Sequence, residues 1–123
     1  MAKEALDKFG SILMHKVRDA AISDWKMIIR GKMRDQRSQE IHQTLKNFGI
    51  TEQNTIEALV PEIVDTALHH FLWMLEDEED IELAINCSGE RIESIKRESD
   101  GLCGELYSDN GWIARFSKEY NEK

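Results

Sequence analysis

The sequence predicts a mostly α-helical single domain of the α+β class, with a small β-hairpin after a central helix and a short C-terminal helix. The chain has 123 residues, the length of one domain. Hydrophobic residues make up 41% of it and charged residues 33%, with a single Pro, which is typical of a helix-rich globular protein. Helical spacing of apolar residues dominates positions 1–80, whereas strict alternation occurs only after position 80.

Residues 1–50 are predicted to form two amphipathic helices. The first extends from Ala2 to about Arg30 and ends at Gly31. Its apolar stripe comprises Leu6, Phe9, Leu13, Val17, Ala20, Trp25, Ile28 and Ile29. The second helix is capped by Ser38 and ends at Gly49, which we expect to adopt a left-handed conformation. Its apolar residues are Ile41, Leu45 and Phe48.

Residues 51–80 form the predicted central helix, with Thr51 as its N-cap. Ten apolar residues share one helical phase and are expected to face the core: Ile56, Leu59, Val60, Ile63, Val64, Ala67, Leu68, Phe71, Leu72 and Leu75. Pro61 falls inside this phase. The segment is therefore either one kinked helix or two helices in register, the second beginning at Pro61.

Residues 81–123 contain the predicted hairpin, a turn and the terminal helix. Ile81, Leu83 and Ile85 alternate with less apolar residues, which indicates a strand, and Ser88-Gly89 supplies a turn. Positions 91–95 fit a returning strand, although the spacing of their two isoleucines also fits a helix. Asp109-Asn110-Gly111 predicts a further turn. The terminal helix would carry Trp112, Ile113, Phe116 and Tyr120.

Charge is distributed unevenly along the chain, whose formal net charge is -8. Residues 51–90 contain eleven Asp and Glu and no Lys or Arg. This segment would repel phosphates, so DNA binding through it is not expected. A basic cluster in the first helices either lies beside the acidic segment and neutralises it, or leaves it free for a partner. The cluster comprises Lys26, Arg30, Lys32, Arg34 and Arg37.

The sequence has no long uncharged apolar run and no signal-peptide pattern at its first residues. We therefore expect a cytoplasmic protein that does not contact a membrane. Cys87 and Cys103 are the only cysteines, and a chain of this length can form a core without a disulfide. Both thiols are expected to be reduced.

Arg37 and His42 are separated by four residues in the segment Arg37-Ser38-Gln39-Glu40-Ile41-His42. This spacing resembles the R-x4-H signature of HEPN-type ribonucleases, which are helical domains. The resemblance covers six residues and two fixed positions. It implies that His42 acts as general base and that Arg37 stabilises the charge on a phosphorane-like transition state. The alternative is a solvated arginine and a partly exposed histidine on a short helix.

No pattern in the sequence predicts a metal site, a cofactor or a local nucleophile motif. His69 and His70 are adjacent on a helix and point about 100° apart, so they do not readily share one ion. The acidic residues 76–80 lack the order of a calcium loop, and no Gly-x-Ser-x-Gly motif occurs. The sequence does not exclude an active site assembled from residues that are distant along the chain.

The acidic end of the central helix is the strongest candidate for a partner-binding site. Five neighbouring acids oppose the helix dipole and repel one another, so stability alone does not favour them. An aromatic side chain bordered by carboxylates suits contact with a basic protein surface. The predicted partner-binding residues are His69, Trp73, Glu76, Asp77, Glu78 and Asp80. The alternative is that Trp73 covers the edge of the core and the acids form a solvated helix end.

The leading functional hypothesis is a noncatalytic, acidic, cytosolic protein-binding module. Its most concrete form is an immunity or antitoxin-like inhibitor that blocks a basic protein by steric and electrostatic occlusion. This rests on size and charge, because such inhibitors share no single fold. The alternatives are a HEPN-like ribonuclease that uses Arg37 and His42, and a structural homo-oligomer that associates through a strip formed by Trp25, Ile29 and Met33.

Overall fold

Residues 2–119 are described by the structure, a computed structural model. Its α-helices are α1 (Ala2–Leu13), α2 (Asp19–Ile29), α3 (Gln36–Leu45), α4 (Ile50–Asp77) and α5 (Trp112–Phe116). An antiparallel hairpin follows α4 and consists of β1 (Ile85–Cys87) and β2 (Glu90–Ile92). Two 3-10 helices, Ile95–Glu98 and Leu102–Leu106, lead from the hairpin to α5. The domain is mostly helical, and the predicted fold class is confirmed.

A π-helical turn, Met14–Arg18, joins α1 to α2 and changes which residues face the core. Such a turn accommodates an extra residue, so the apolar stripe shifts in phase after it. Val17, predicted to be in the core, is 47% exposed, and Ala20 is exposed as well. Arg18 and Ile22 are buried in their place. The prediction was wrong here because the sequence pattern assumed an unbroken α-helical period.

The helix ends differ in part from the predicted caps. Gly31 has φ +76° and ends α2 as predicted. The N-cap of α3 is Asp35, not Ser38, because the Asp35 carboxylate accepts a hydrogen bond from the Ser38 backbone N–H at 3.0 Å. Gly49 has φ −67° and extended backbone, and it is the N-cap of α4 instead of a left-handed residue. Thr51 lies inside α4 and does not cap it.

The helix α4 continues through Pro61 as one helix of 28 residues, which decides between the two sequence alternatives. Only part of its predicted apolar stripe faces the core. Four of the ten residues are buried: Val60, Leu68, Leu72 and Leu75. Four others are exposed: Leu59, Ile63, Ala67 and Phe71. None of the helices formed by residues 2–119 combines the length and apolarity needed to cross a membrane.

The core consists of two clusters of buried side chains. The larger one joins α1 and the second half of α4 to the C-terminal segments. Trp112 is fully buried there and meets Phe9 edge to face, with ring centroids 5.7 Å apart. The indole also packs on Gly10, where a Cβ atom would lie 2.4 Å from the ring. The smaller cluster lies between α2 and α4 and contains Ile22, Ile29 and Val60.

The hairpin is confirmed, although β1 is shorter than predicted. Residues 81–84 are irregular, and the ladder pairs Ile85 with Ile92 and Cys87 with Glu90. Ser88 and Gly89 both have positive φ, 52° and 81°, as a two-residue type I′ turn requires.

The chain after the hairpin is largely helical and ends in the predicted short helix. Ile95 belongs to the first 3-10 helix, not to a strand. A turn precedes α5, in which the Gly111 N–H donates to the Ser108 carbonyl at 3.1 Å. The second 3-10 helix was not predicted. Tyr120, the last residue of the predicted apolar set, lies outside the described residues.

A buried ionic network connects the π-helical turn to α4 and to the segment after α5. The Arg18 guanidinium donates to both carboxylate oxygens of Asp65, at 2.6 and 3.2 Å, and to the Ser117 hydroxyl at 2.7 Å. The Ser117 hydroxyl in turn donates to Asp19 at 2.6 Å, and the Lys118 backbone N–H donates to the same carboxylate at 2.8 Å. These contacts hold three distant parts of the chain together.

Candidate partner-binding surface

The acidic residues 76–80 lie at the C-terminal end of α4, and all five are exposed. The helix end is stabilised by Lys96, whose ammonium group donates to the carbonyls of Glu78 at 2.8 Å and Ile81 at 3.0 Å. A cation at this position satisfies terminal carbonyls and favours the helix dipole. Backbone groups, not the acidic side chains, therefore receive these two hydrogen bonds.

The side-chain carboxylates of residues 76–80 have no cationic partner within residues 2–119. Lys96 and Arg97 instead approach the Glu82 carboxylate, at 3.8 and 3.4 Å. The neighbouring Ser94 side chain and these two cations lower the pKa of Glu82. The acidic end of α4 thus keeps a local excess of negative charge.

Trp73 lies on the exposed face of α4, one turn after His69, and is 53% exposed. His69 is half-buried, and its Nδ1 atom lies 3.3 Å from the Tyr107 hydroxyl. Tyr107 is itself 44% exposed. Burial and the nearby Asp65 carboxylate raise the pKa of its hydroxyl above the ordinary value. The sequence contained no signal that could join Tyr107 to α4, since 38 residues separate it from His69.

Glu76 also connects α4 to the second 3-10 helix. Its carboxylate accepts a hydrogen bond from the Cys103 backbone N–H at 2.9 Å. The Cys103 thiol donates to the His69 carbonyl at 3.4 Å. Burial and the Glu76 carboxylate raise the pKa of this thiol, which disfavours the reactive thiolate. Cys103 therefore serves to position the loop beside α4.

These contacts define one surface, which we call the Trp73 surface: His69, Trp73, Glu76, Asp77 and Tyr107. The four residues of α4 are neighbours because side chains three or four positions apart share a helix face. Glu78 is the C-cap, with extended backbone, and Asp80 follows it in the turn. The structure thus brings four of the six predicted residues together and places the other two just past the helix end.

The basic cluster of the first helices does not neutralise the acidic end of α4. Arg30 contacts α4 at Glu57, with a distance of 3.0 Å, and Lys26 pairs with Glu119 at 2.6 Å. Glu57 precedes Glu76 by 19 positions, or roughly 28 Å along a helix. Within residues 2–119, the ion pair between this basic cluster and α4 therefore lies in the N-terminal part of the helix.

Arg37 and His42 have separate partners in the structure. Arg37 is exposed and pairs with Glu40 at 3.3 Å. The Nδ1 atom of His42 lies 2.9 Å from the Ile29 carbonyl, which can only accept, so Nδ1 is the donor. The ring packs over Gly31, where a Cβ atom would lie 2.5 Å from Nε2. Five positions on a helix correspond to about 140° of rotation, which points the two side chains in different directions.

No group of three or more His, Cys, Asp or Glu side chains in residues 2–119 is arranged to hold a metal ion. The rings of His69 and His70 are perpendicular, with centroids 5.5 Å apart.

Ile29, one member of the suggested oligomer strip, is 5% exposed and belongs to the core, whereas Trp25 is 39% exposed. The strip is therefore not continuous on the surface.

Comparison with protein-family models found no match, and searches of curated proteins and of solved structures found none either. A function is therefore inferred from the geometry of the Trp73 surface.

Proposed function

We propose that this protein is a noncatalytic binding protein whose Trp73 surface engages a basic protein. The observation that carries the proposal is an indole 53% exposed beside carboxylates that form no ion pair within residues 2–119. Tryptophan is among the residues that contribute most to binding when an interface buries them. Covering Trp73 would desolvate its ring, and partner Lys or Arg side chains would pair with Glu76 and Asp77.

Electrostatics would act mainly on the encounter between the two proteins. Residues 51–90 carry no Lys or Arg, and the cations that pair with α4, Arg18 and Arg30, do so at Asp65 and Glu57. The carboxylates at the C-terminal end of α4 would therefore attract a cationic partner. Exposed charges are screened within about 8 Å at physiological ionic strength. Binding through this surface should therefore weaken as salt is added, chiefly through slower association.

The most concrete form of this proposal is an immunity or antitoxin-like inhibitor of the cytoplasm that covers the functional surface of a basic protein. Small size and negative charge support it, together with an exposed aromatic side chain at the acidic end. The mechanism would be occlusion, because the Trp73 surface supplies contact area and charge but no activated nucleophile.

A capture experiment with matched variants tests the proposal. Tagged protein is incubated with lysate of its host at low and high salt, and bound proteins are identified. We expect a stoichiometric basic protein that is released by salt and lost in Trp73→Ser. Ile12→Ser is the matched control, because Ile12 is an apolar side chain of α1 that is 44% exposed.

A second variant tests the contribution of charge. It replaces four carboxylates by their amides: Glu76→Gln, Asp77→Asn, Glu78→Gln and Asp80→Asn. We expect weaker binding and a smaller salt dependence, since fewer charge pairs form. A partner that binds both this variant and Trp73→Ser as strongly as the wild type would overturn the proposal.

A further inference from the structure

The turn that precedes α5 contains Asn110, the only asparagine of the chain that is followed by glycine. The other four asparagines are each followed by a residue with a side chain: Asn47, Asn54, Asn86 and Asn121. Asparagine is a thermally labile residue type, because the backbone nitrogen of the next residue can attack its side-chain amide. Glycine obstructs this attack least, since it has no side chain and its backbone is permissive. Asn110-Gly111 is therefore the pair in this chain that is most susceptible to the reaction.

The Asn110 side chain is accessible in the folded protein. The residue is exposed, and its side-chain amide forms no hydrogen bond within residues 2–119. Its backbone carbonyl accepts a hydrogen bond from Arg115 Nε at 2.8 Å. A charged donor at this carbonyl draws electron density from the peptide group between Asn110 and Gly111, which makes the Gly111 N–H more acidic. The deprotonated nitrogen of Gly111 is the group that attacks.

One backbone hydrogen bond restrains the attacking nitrogen. The Gly111 N–H donates to the Ser108 carbonyl at 3.1 Å, and this bond must break before the nitrogen can attack. The turn resists opening only weakly, because Ser108, Asp109 and Asn110 are all exposed. Ser108 moreover has φ +77°, a left-handed conformation that is unfavourable for a residue with a side chain. Opening the turn relieves this strain, so the reaction can start from the folded protein.

We propose that Asn110 is a site of spontaneous deamidation and that one of its two products loosens α5. The Gly111 nitrogen forms a bond to Cγ of Asn110, the bond from Cγ to the side-chain nitrogen breaks, and ammonia leaves with the proton lost by Gly111. The intermediate is a five-membered succinimide ring. Water then opens the ring at either of its two carbonyl groups. One product is aspartate at position 110, and the other is isoaspartate, in which the main chain continues through Cγ.

Isoaspartate lengthens the main chain by one carbon atom directly before Gly111, the N-cap of α5. Gly111 is buried and closely packed, since even a Cβ atom at this position would overlap the Tyr107 carbonyl oxygen. Trp112, the next residue, is fully buried and meets Phe9 of α1 edge to face. A longer main chain at this point shifts Gly111 and with it the indole. The isoaspartate product should therefore loosen α5 from α1.

Aspartate at position 110 leaves the length of the main chain unchanged. Its carboxylate would be ionised at neutral pH. The Arg115 guanidinium, which already contacts the Asn110 carbonyl and pairs with Asp7, is a nearby cation for the new charge. The aspartate product should therefore fold almost as stably as the unmodified protein, and only the isoaspartate product should be destabilised.

Incubation of the folded protein at physiological temperature and pH, followed by mass spectrometry, tests the site. Trypsin releases residues 98–115 as one peptide, in which Asn110 is the only residue with a side-chain amide. We expect this peptide to gain about 1 Da, the difference between an amide and an acid group. The gain should be at least about tenfold faster than in peptides that contain the other asparagines. Asn110→Ser should abolish it, whereas Asn47→Ser, which replaces another exposed asparagine in a turn, should leave it unchanged.

Thermal unfolding of the aged protein tests the consequence for α5. Fragmentation of the peptide distinguishes isoaspartate from aspartate at position 110. We expect the fraction that contains isoaspartate to unfold at least about 4 °C below fresh protein. Fresh Asn110→Asp protein carries the new charge without the longer main chain, and it should unfold within about 1 °C of the wild type.

Three results would overturn the inference. A peptide 98–115 that gains mass no faster than the peptides with other asparagines, or that still gains mass in Asn110→Ser, would exclude Asn110 as the site. Aged protein that contains isoaspartate but unfolds at the temperature of fresh protein would exclude the loosening of α5. An equal loss of stability in fresh Asn110→Asp protein would assign the effect to charge and not to the length of the main chain.

Discussion

Replacing Arg18 by Met should destabilise the fold strongly. The side chain is 3% exposed, and its guanidinium connects Asp65 to Ser117. Methionine supplies a flexible apolar chain of similar reach to the arginine stem. The substitution therefore removes charge and hydrogen bonds more than volume.

The magnitude follows from the burial of the network. Removing one partner of a buried ion pair costs about 3–5 kcal/mol, because the remaining charge stays desolvated. The side chain of Asp65 is 20% exposed and that of Asp19 is 12% exposed, so water relieves part of this cost. We expect the lower end, about 3 kcal/mol, or a factor of roughly 150 in the folding equilibrium constant. The midpoint of thermal unfolding should fall by about 10 °C.

Urea unfolding followed by far-UV circular dichroism measures this loss. With an m-value near 1.5–2 kcal/mol/M, the midpoint should fall by about 1.5–2 M. The double variant Arg18→Met with Asp65→Leu should recover much of the loss, since it leaves no carboxylate on α4 facing an absent cation. An Arg18→Met midpoint within about 0.3 M of the wild type would refute the reasoning, because the network would then contribute little.

Three other changes test the core, one surface ion pair and the contact between α4 and the second 3-10 helix. Gly10→Ala should destabilise the fold by about 1–3 kcal/mol in thermal unfolding, because the new Cβ would lie 2.4 Å from the buried Trp112 indole. This cost exceeds the gain from the higher helix propensity of Ala. Unchanged stability would contradict the close packing of the indole on Gly10. The hydrogen bond from Arg115 lowers the pKa of Asp7 below its ordinary 3.8, so this stabilisation is present above about pH 4 and is lost as the pH falls through the folded-state pKa. Asp7→Asn should therefore flatten the acid limb of a stability–pH curve, and an unchanged limb would exclude the effect. Burial and the Glu76 carboxylate raise the pKa of the Cys103 thiol above its ordinary 9.0, so Glu76→Gln should speed alkylation of Cys103 at pH 8. Equal alkylation rates in the variant and the wild type would show that the carboxylate does not act on the thiol.

The elements that the sequence predicted are those specified by local residue chemistry. Ser88-Gly89 supplies the positive φ values of the hairpin turn, and Gly31 supplies the left-handed residue that ends α2. The apolar period of α4 indicated a helix on both sides of Pro61. Such signals lie within a few residues of the feature they predict, so they need no knowledge of the tertiary structure.

The features that sequence reasoning missed depend on contacts between distant segments. Val17 is exposed because the π-helical turn shifts the phase of the helix. No residue type in that turn predicts a π-helix. Asp35 and Ser38 are both good N-caps by type, and only the path of the chain selects between them. Tyr107 approaches His69 across 38 positions. Periodicity likewise identified the apolar stripe of α4 but not how much of it the neighbouring elements would cover.

The partly covered apolar stripe and the acidic helix end both lie on α4. Lys96 donates to the carbonyls of Glu78 and Ile81, just past the C-terminal end of α4, whereas the acidic side chains of residues 77, 79 and 80 form no hydrogen bond or ion pair within residues 2–119. Carboxylates at this position oppose the helix dipole by about 0.3–1 kcal/mol each. Exposed Leu59 and Ile63 bury less apolar surface than the same residues would in the core. Both features cost the isolated chain stability, and both become favourable when a partner with apolar and cationic side chains covers them. Under the proposed function, stability and binding are therefore opposed along α4.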